Sequence, residues 1–279
     1  MSNENTQNML NIQKIEELSM NAWPSYKIEL YDKWLIRFSH QYTFRTNCVE
    51  QVGESGLPIE EKVSYCEDIY KNYGTPCNFK ISPIVEPSFD SFLEDRGYGI
   101  RHETEVMTMS LDNYTTLSPK ASEYGNTDHN SGLPELVRYD DTTSVSVNDT
   151  ITDRWITELF RLNHTTNPIH LKIVPSMFKA IPKTTIVAAI SDDRRMVASG
   201  LGILDRDYLG IYAIYIDPEF RRRHYASYIC NTLITQGIKM GARYSYLQVV
   251  KGNEPAISLY ERLGFRYHYS YWFRSKPTS

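Results

Sequence analysis

The run from Leu209 to Met240 constrains the fold more than any other part of the chain. Leu209 to Ile216 reads as a strand, and Asp217-Pro218 ends it, because proline removes a ladder donor and favours a turn. Arg221, Arg222 and Arg223 follow, and then a segment of helical period from Tyr225 to Met240 that stops at Gly241. A strand, a cationic turn and a helix start in succession make an anion cradle. The first N–H groups of a helix lack intrahelical acceptors, and the helix dipole favours negative charge at that end. A solvated basic turn is the plainer alternative.

The totals narrow the classes. At 279 residues the chain suits one large domain or two ordinary ones. A formal net charge of -4 argues against nucleic-acid partners, although the arginine cluster is locally basic. No apolar run approaches the ~20 residues that a membrane span requires, and Met1 to Asn8 is too polar for a signal peptide, so a cytoplasmic protein is expected. Cys48, Cys66, Cys77 and Cys230 show no C-x-x-C spacing, as expected of reduced thiols. The histidines are scattered, and no metal is assigned.

Along the chain, helical period is expected over Met9 to Trp23, a hairpin over Lys27 to Phe38, and a third strand within Arg45 to Val52. A helix after Leu57-Pro58, a short strand at Phe79 to Ile81, a helix over Ser88 to Asp95 and a strand over Ile100 to Leu111 complete the first half. In the second half a strand at Ser144 to Val147 precedes a helix capped by Asp149 or Thr150, and a further helix lies between His170 and Ile181. A hairpin over Thr185 to Leu204 leads into the opening stretch, followed by a strand at Tyr244 to Val250, a helix capped by Asn253, and a strand from Phe265 to Phe273. Ser91 to Tyr98 lies on Ser258 to Phe265 without a gap, and each runs from a short helix through glycine and an aromatic residue into a long strand. The chain is therefore read as an internal repeat: a first domain at 1–112, a linker at 113–133 rich in Ser, Thr, Asn and Gly, and a second domain at 134–279.

Ile216 to Ala226 resembles the pyrophosphate loop of the GNAT superfamily of N-acetyltransferases, whose motif reads Arg/Gln-x-x-Gly-x-Gly/Ala after a strand ending in Val/Ile-x-Pro. Asn253 to Phe265 resembles the same family's Asn-x-x-Ala-x-x-Leu-Tyr-x-x-x-Gly-Phe segment. The resemblance implies an α/β (α+β) chain of two GNAT-like acyl-CoA N-acyltransferase folds in tandem, each a mixed, mostly antiparallel sheet flanked by helices, the first degenerate. It implies acetyl-CoA as co-substrate and a small-molecule amine or peptide as acceptor, with no metal. The cofactor contacts implied are Ile214, Tyr215 and Ile216 along the pantetheine, Arg221, Arg222, Arg223, His224, Tyr225, Ala226 and Ser227 at the phosphates, and Asn253 at the pantetheine or adenosine end. Two strands are expected to splay at a bulge near Ala213, where an N–H such as that of Ile214 polarises the thioester.

By the same resemblance Tyr260 is the general acid that protonates the departing thiolate; from its position alone the reading as a core aromatic is favoured. His224 replaces the family's first loop glycine. It fits if the position takes ordinary helical angles, its imidazole could contact phosphate at lower pH, or it could obstruct the cofactor. The general base stays unassigned among Asp149, His164, Asp205, Asp207, Tyr212 and Gln248. In the first half Leu93 stands where the second has Tyr260, and the acidic stretch Glu50 to Pro58 replaces the arginines, so one acetyl-CoA site per chain is expected. A non-catalytic acyl-CoA sensor is the alternative function.

Overall fold

The computed structural model describes residues 3–114 and 143–277. The strands are β1 (Lys27–Tyr31), β2 (Trp34–Phe38), β3 (Val49–Gln51), β4 (Cys77–Ile81), β5 (Gly99–Ser110), β6 (Thr143–Asn148), β7 (Thr184–Asp192), β8 (Arg195–Asp205), β9 (Tyr208–Ile216), β10 (Tyr244–Val250) and β11 (Arg266–Lys276). The helices are α1 (Asn3–Ala22), α2 (Ile59–Asn72), α3 (Pro87–Asp95), α4 (Asp153–Leu162), α5 (Pro168–Lys179), α6 (Tyr225–Lys239) and α7 (Glu254–Leu263). All eleven strands join one sheet in the order β1-β2-β3-β4-β11-β5-β10-β9-β8-β7-β6. Only β3/β4 and β9/β10 pair in parallel, and each of those pairs is connected through a helix, as a parallel crossover requires.

The order β1-β2-β3-α2-β4-α3-β5 recurs as β7-β8-β9-α6-β10-α7-β11. The final strands of the two copies are exchanged. β11 pairs with β4 (Trp272 opposite Ile81), and β5 pairs with β10 (Met107 opposite Leu247), so each copy's last strand completes the other's sheet. Separating the copies would expose unpaired strand edges on both sides, which makes the exchange a strong tie between them.

Several local expectations are corrected. The third strand does fall within Arg45 to Val52, but it is short: the stretch opens with a 3-10 turn, Phe44–Thr46, and pairs only over β3. α4 is capped by Thr152, whose hydroxyl accepts from the Trp155 N–H at 3.1 Å, and not by Asp149 or Thr150. α1 begins before Met9, and β11 extends past Phe273. Most of the expected linker lies outside the described residues. All four cysteines are buried and free. Among the described residues no helix is long and apolar enough to cross a membrane.

Apolar side chains of α6 and α7, including Ile229, Leu233 and Leu263, pack one face of the second sheet half, and those of α4 and α5, including Trp155, Leu159 and Phe178, pack the other. That sandwich leaves the ends of β9 and β10 as the place where the chain can open.

Candidate active site

β9 and β10 pair from Tyr208 opposite Tyr244 to Ile211 opposite Leu247, and then part, although β9 continues to Ile216 and β10 to Val250. The cause lies across the sheet. Leu201 faces Tyr212 and Ser199 faces Tyr215, so Ala213 and Ile214 together stand against Gly200 in a β-bulge. Ala213 takes a left-handed φ of 51°, and its carbonyl accepts from Ser199 Oγ at 2.9 Å. Gly200 is required there, because a Cβ would lie 2.3 Å from Ile229 Cγ2 and 2.9 Å from Ile214 Cδ1. The missing side chain lets α6 ride close against the bulge. Backbone strain of this kind costs about 1–3 kcal/mol and persists where surroundings enforce it.

Beyond β9 the chain turns through the 3-10 segment Pro218–Phe220 into the arginine loop. The buried Asp217 carboxylate holds this turn: it accepts from the Glu219 N–H at 3.2 Å and pairs with Arg195 at 2.8 Å and Arg161 at 3.5 Å. Arg222 and His224 both adopt left-handed angles, with φ of 64° and 57°. Of the alternatives open for His224, a fit through ordinary helical angles is not met: the position takes the conformation that favours glycine. His224 is exposed, as are Arg221 and Arg222, whereas the Arg223 guanidinium lies 4.7 Å from the centre of the Phe220 ring. Among the described residues, the N–H groups of His224, Ala226 and Ser227 meet no acceptor, and the first turn of α6 carries no acidic side chain. This is an anion cradle by construction. Replacing His224 with glycine is expected to stabilise the fold by about 1 kcal/mol, read by urea unfolding, without weakening anion binding, because the N–H is retained.

On α7, Tyr260 is 9% exposed and packs edge-on to Phe265, with centroids 6.2 Å apart. Burial, and to a lesser extent the Cys230 thiol, push its phenol above the ordinary value, so it is neutral at physiological pH. Its hydroxyl has no hydrogen-bond partner among the described residues. Core ring and open polar tip thus coexist in one side chain. Asn253 occupies the N-cap position of α7, yet its exposed side chain makes no capping bond, against expectation.

A cavity of about 80 Å³ opens at the bulge, on the side of α4 and α5. Tyr212, Ala213 and Tyr215 of β9 line it with Leu159, Asn163 and Phe178, and the first half contributes Trp23, Tyr42, Thr43 and Arg45. No carboxylate or histidine lines it. Asp205 is at the far end of β8, tied to Lys183 at 2.9 Å and to the Asn21 amide at 2.9 Å, and Asp207 lies in the turn beyond it. Asp149 is exposed, and His164 lies in a separate surface depression between α4 and α5. Tyr212 does line the cavity, but its hydroxyl shares a 2.7 Å hydrogen bond with that of Tyr246, and burial raises its phenol. Gln248 accepts from Arg45 Nη1 at 2.8 Å and from Tyr271 Oη at 3.0 Å. Sequence reasoning missed the contribution of Trp23, Tyr42 and Arg45, which only tertiary packing brings to the bulge.

The first half closes both features. β3 and β4 pair only at Val49 opposite Phe79, and Glu50 and Lys80 bridge them at 3.3 Å, with Arg37 and Glu16 completing a buried cluster of two cations and two anions. Before α2, the Asp32 carboxylate already accepts from the Gly56 N–H at 3.0 Å and the Leu57 N–H at 3.0 Å, and pairs with Lys62 at 3.2 Å. Those backbone bonds hold Asp32 below the ordinary carboxylate range. An internal anion stands where the second half offers a free cradle.

A family model described as "Acetyltransferase (GNAT) family" matches residues 152–265. A protein of Bacillus subtilis (strain 168) described as an uncharacterized N-acetyltransferase, YobR, is 27% identical over 257 residues, spanning 92% of this chain and 95% of its own. Among solved structures, a GCN5-related N-acetyltransferase from Kribbella flavida superposes with a TM-score of 0.65 at 11% identity, covering 96% of each chain. A tandem GNAT protein from the clavulanic acid biosynthesis pathway superposes with a TM-score of 0.63 at 11% identity, covering 83% of this chain and 75% of its own. Both likenesses concern the fold, and both extend over the repeat.

Proposed function

We propose, from the match of residues 152–265 to the model of the GNAT family of acetyltransferases, that this enzyme passes the acetyl group of acetyl-CoA directly to an amine at the β9–β10 splay. The observation that carries the reading is the open splay and bulge lying beside N–H groups that have no acceptor within the chain, in one copy of the repeat among the described residues. The pyrophosphate sits on the N–H groups of residues 222–227, with Arg221 and Arg222 supplying charge. The pantetheine runs along the free edge of Ile214, Tyr215 and Ile216, and Asn253 meets it from the start of α7. The N–H of Ile214 polarises the thioester carbonyl. The amine enters from the cavity between Tyr212 and Tyr215, its nitrogen bonds to the carbonyl carbon and sheds one proton to solvent, and the C–S bond breaks as Tyr260 Oη gives its proton to sulfur. A proton from solvent then restores the phenol. Holding both reactants at the splay makes the attack effectively unimolecular.

In this reading residues 134–279 carry the reaction, and residues 1–112 serve as a wall of the acceptor cavity. Calorimetric titration is expected to give one acetyl-CoA per chain, and purified protein is expected to release CoA thiol with members of an amine panel. Two equivalents bound would refute the single-site reading. Tight binding with no turnover on any amine would favour an acyl-CoA sensor instead.

A further inference from the structure

We propose that the acceptor amine also carries a carboxylate, and that Arg45 is the residue that seats it. This deepens the acetyltransferase reading and rests on it. Arg45 lies in the turn Phe44–Thr46 of the first half and lines the cavity at the bulge with Tyr212, Ala213 and Tyr215. Other arginines withdrawn from solvent in this chain have carboxylate partners: Arg37 has Glu50, Arg274 has Asp90 and Glu94, and Arg161 has Glu158 and Asp217. Arg45, itself half-buried, makes no ion pair among the described residues, and no acidic side chain lines the cavity. Its hydrogen bond is to a neutral acceptor, from Nη1 to Gln248 Oε1 at 2.8 Å.

A guanidinium presents five donors in a fixed fork, and this one meets only neutral partners, the Gln248 amide oxygen and the Tyr271 phenol. A partly desolvated charge without a counter-ion is costly unless a ligand supplies it. The planar fork matches a carboxylate in a two-bonded geometry. Gln248, on the diverging end of β10 and anchored by Tyr271 Oη at 3.0 Å, holds the guanidinium at the mouth of the splay. The aromatic walls of Trp23, Tyr42 and Phe178 suit the carbon frame between amine and acid. The cavity is therefore built for a small amino acid in the broad sense, with its amine toward Ala213 and its acid toward Arg45.

The test compares α-, β- and γ-amino acids with their carboxamides as acceptors, for the wild-type protein, Arg45→Gln and Arg45→Lys, by thiol release. The wild type is expected to prefer acids over the matching amides by roughly tenfold to a hundredfold in kcat/KM, the range of a charged hydrogen-bonded pair. Arg45→Gln should bring that ratio to about one, and Arg45→Lys should restore part of it, with the acetyl-CoA KM unmoved and the unfolding midpoint not lowered in either. A tie between the halves alone would shift the midpoint and leave the ratio intact, which overturns the proposal. Equal use of amides by the wild type, or acetyl-CoA binding with no acid acetylated, overturns it as well while leaving cofactor binding standing. Failure to bind acetyl-CoA at all would instead fail the reading beneath it.

Discussion

Replacing Tyr260 with phenylalanine is expected to lower kcat about a hundredfold, near the lower end of what a positioned proton donor contributes. That corresponds to about 2.7 kcal/mol of transition-state stabilisation. The substitution removes one oxygen and keeps the ring that packs on Phe265. Because the hydroxyl bonds to nothing among the described residues, stability and the acetyl-CoA KM should change little. A phenol of ordinary pKa ~10 faces a thiolate whose acid has pKa ~8.5, so the transfer is slightly uphill in water. Burial raises the phenol further, but the same burial disfavours the departing thiolate, so the gap between them does not widen in proportion. Placement then carries the effect. The raised phenol also sets the pH profile: Tyr260 is in its acid form throughout the neutral range and adds no falling limb below pH ~10. Thiol release under saturating acetyl-CoA, using the best amine of the panel, checks the result; an unchanged kcat would remove Tyr260 from the chemistry.

What the sequence could reveal of this site depended on chain distance. Strand, proline, arginines and helix are consecutive from Leu209 to Met240, so the cradle was legible, as was the α7 segment with Tyr260. The repeat was legible because helix-glycine-aromatic-strand recurs without gaps, and the two copies of element order match it. The exchange of β5 and β11 was not, because strand pairing depends on tertiary register and both candidates carry the same alternation. The left-handed angle at His224 could have been anticipated from the glycine it replaces, since loop geometry outlasts a side chain that can tolerate it. Arg45 was invisible as a cavity residue: more than two hundred positions separate it from Gln248, and a lone arginine in a turn carries no pattern. Asn253 shows the opposite failure. Its spacing marks a cap, and the structure leaves its amide unused for capping.

The largest effect on stability is expected in the half without the cradle. Lys80→Met should cost about 3–5 kcal/mol, the penalty for removing one partner from a buried ionic cluster. Lys80 Nζ lies 2.7 Å from Glu16 and 3.3 Å from Glu50, and 4.5 Å from the centre of the Tyr271 ring, with both carboxylates almost wholly buried. Burial alone would pull the ammonium down, and the two glutamates more than reverse that, so it stays charged. Burial would likewise raise Glu50, but Lys80 and Arg37 hold it below the ordinary carboxylate range. A folded pKa below the unfolded value gives stability that is present above about pH 4.3 and lost as pH falls through the folded value. The gap between wild type and Lys80→Met should therefore be widest near neutrality and narrow in acid, where the carboxylate is protonated in both. Adding Glu16→Gln to Lys80→Met should recover part of the loss, because the second change removes the stranded charge; a strictly additive double mutant would deny the coupling. The same substitution reaches the site indirectly. β4 pairs with β11, which follows the Tyr260 helix, so loosening the first copy should expose an edge of the second.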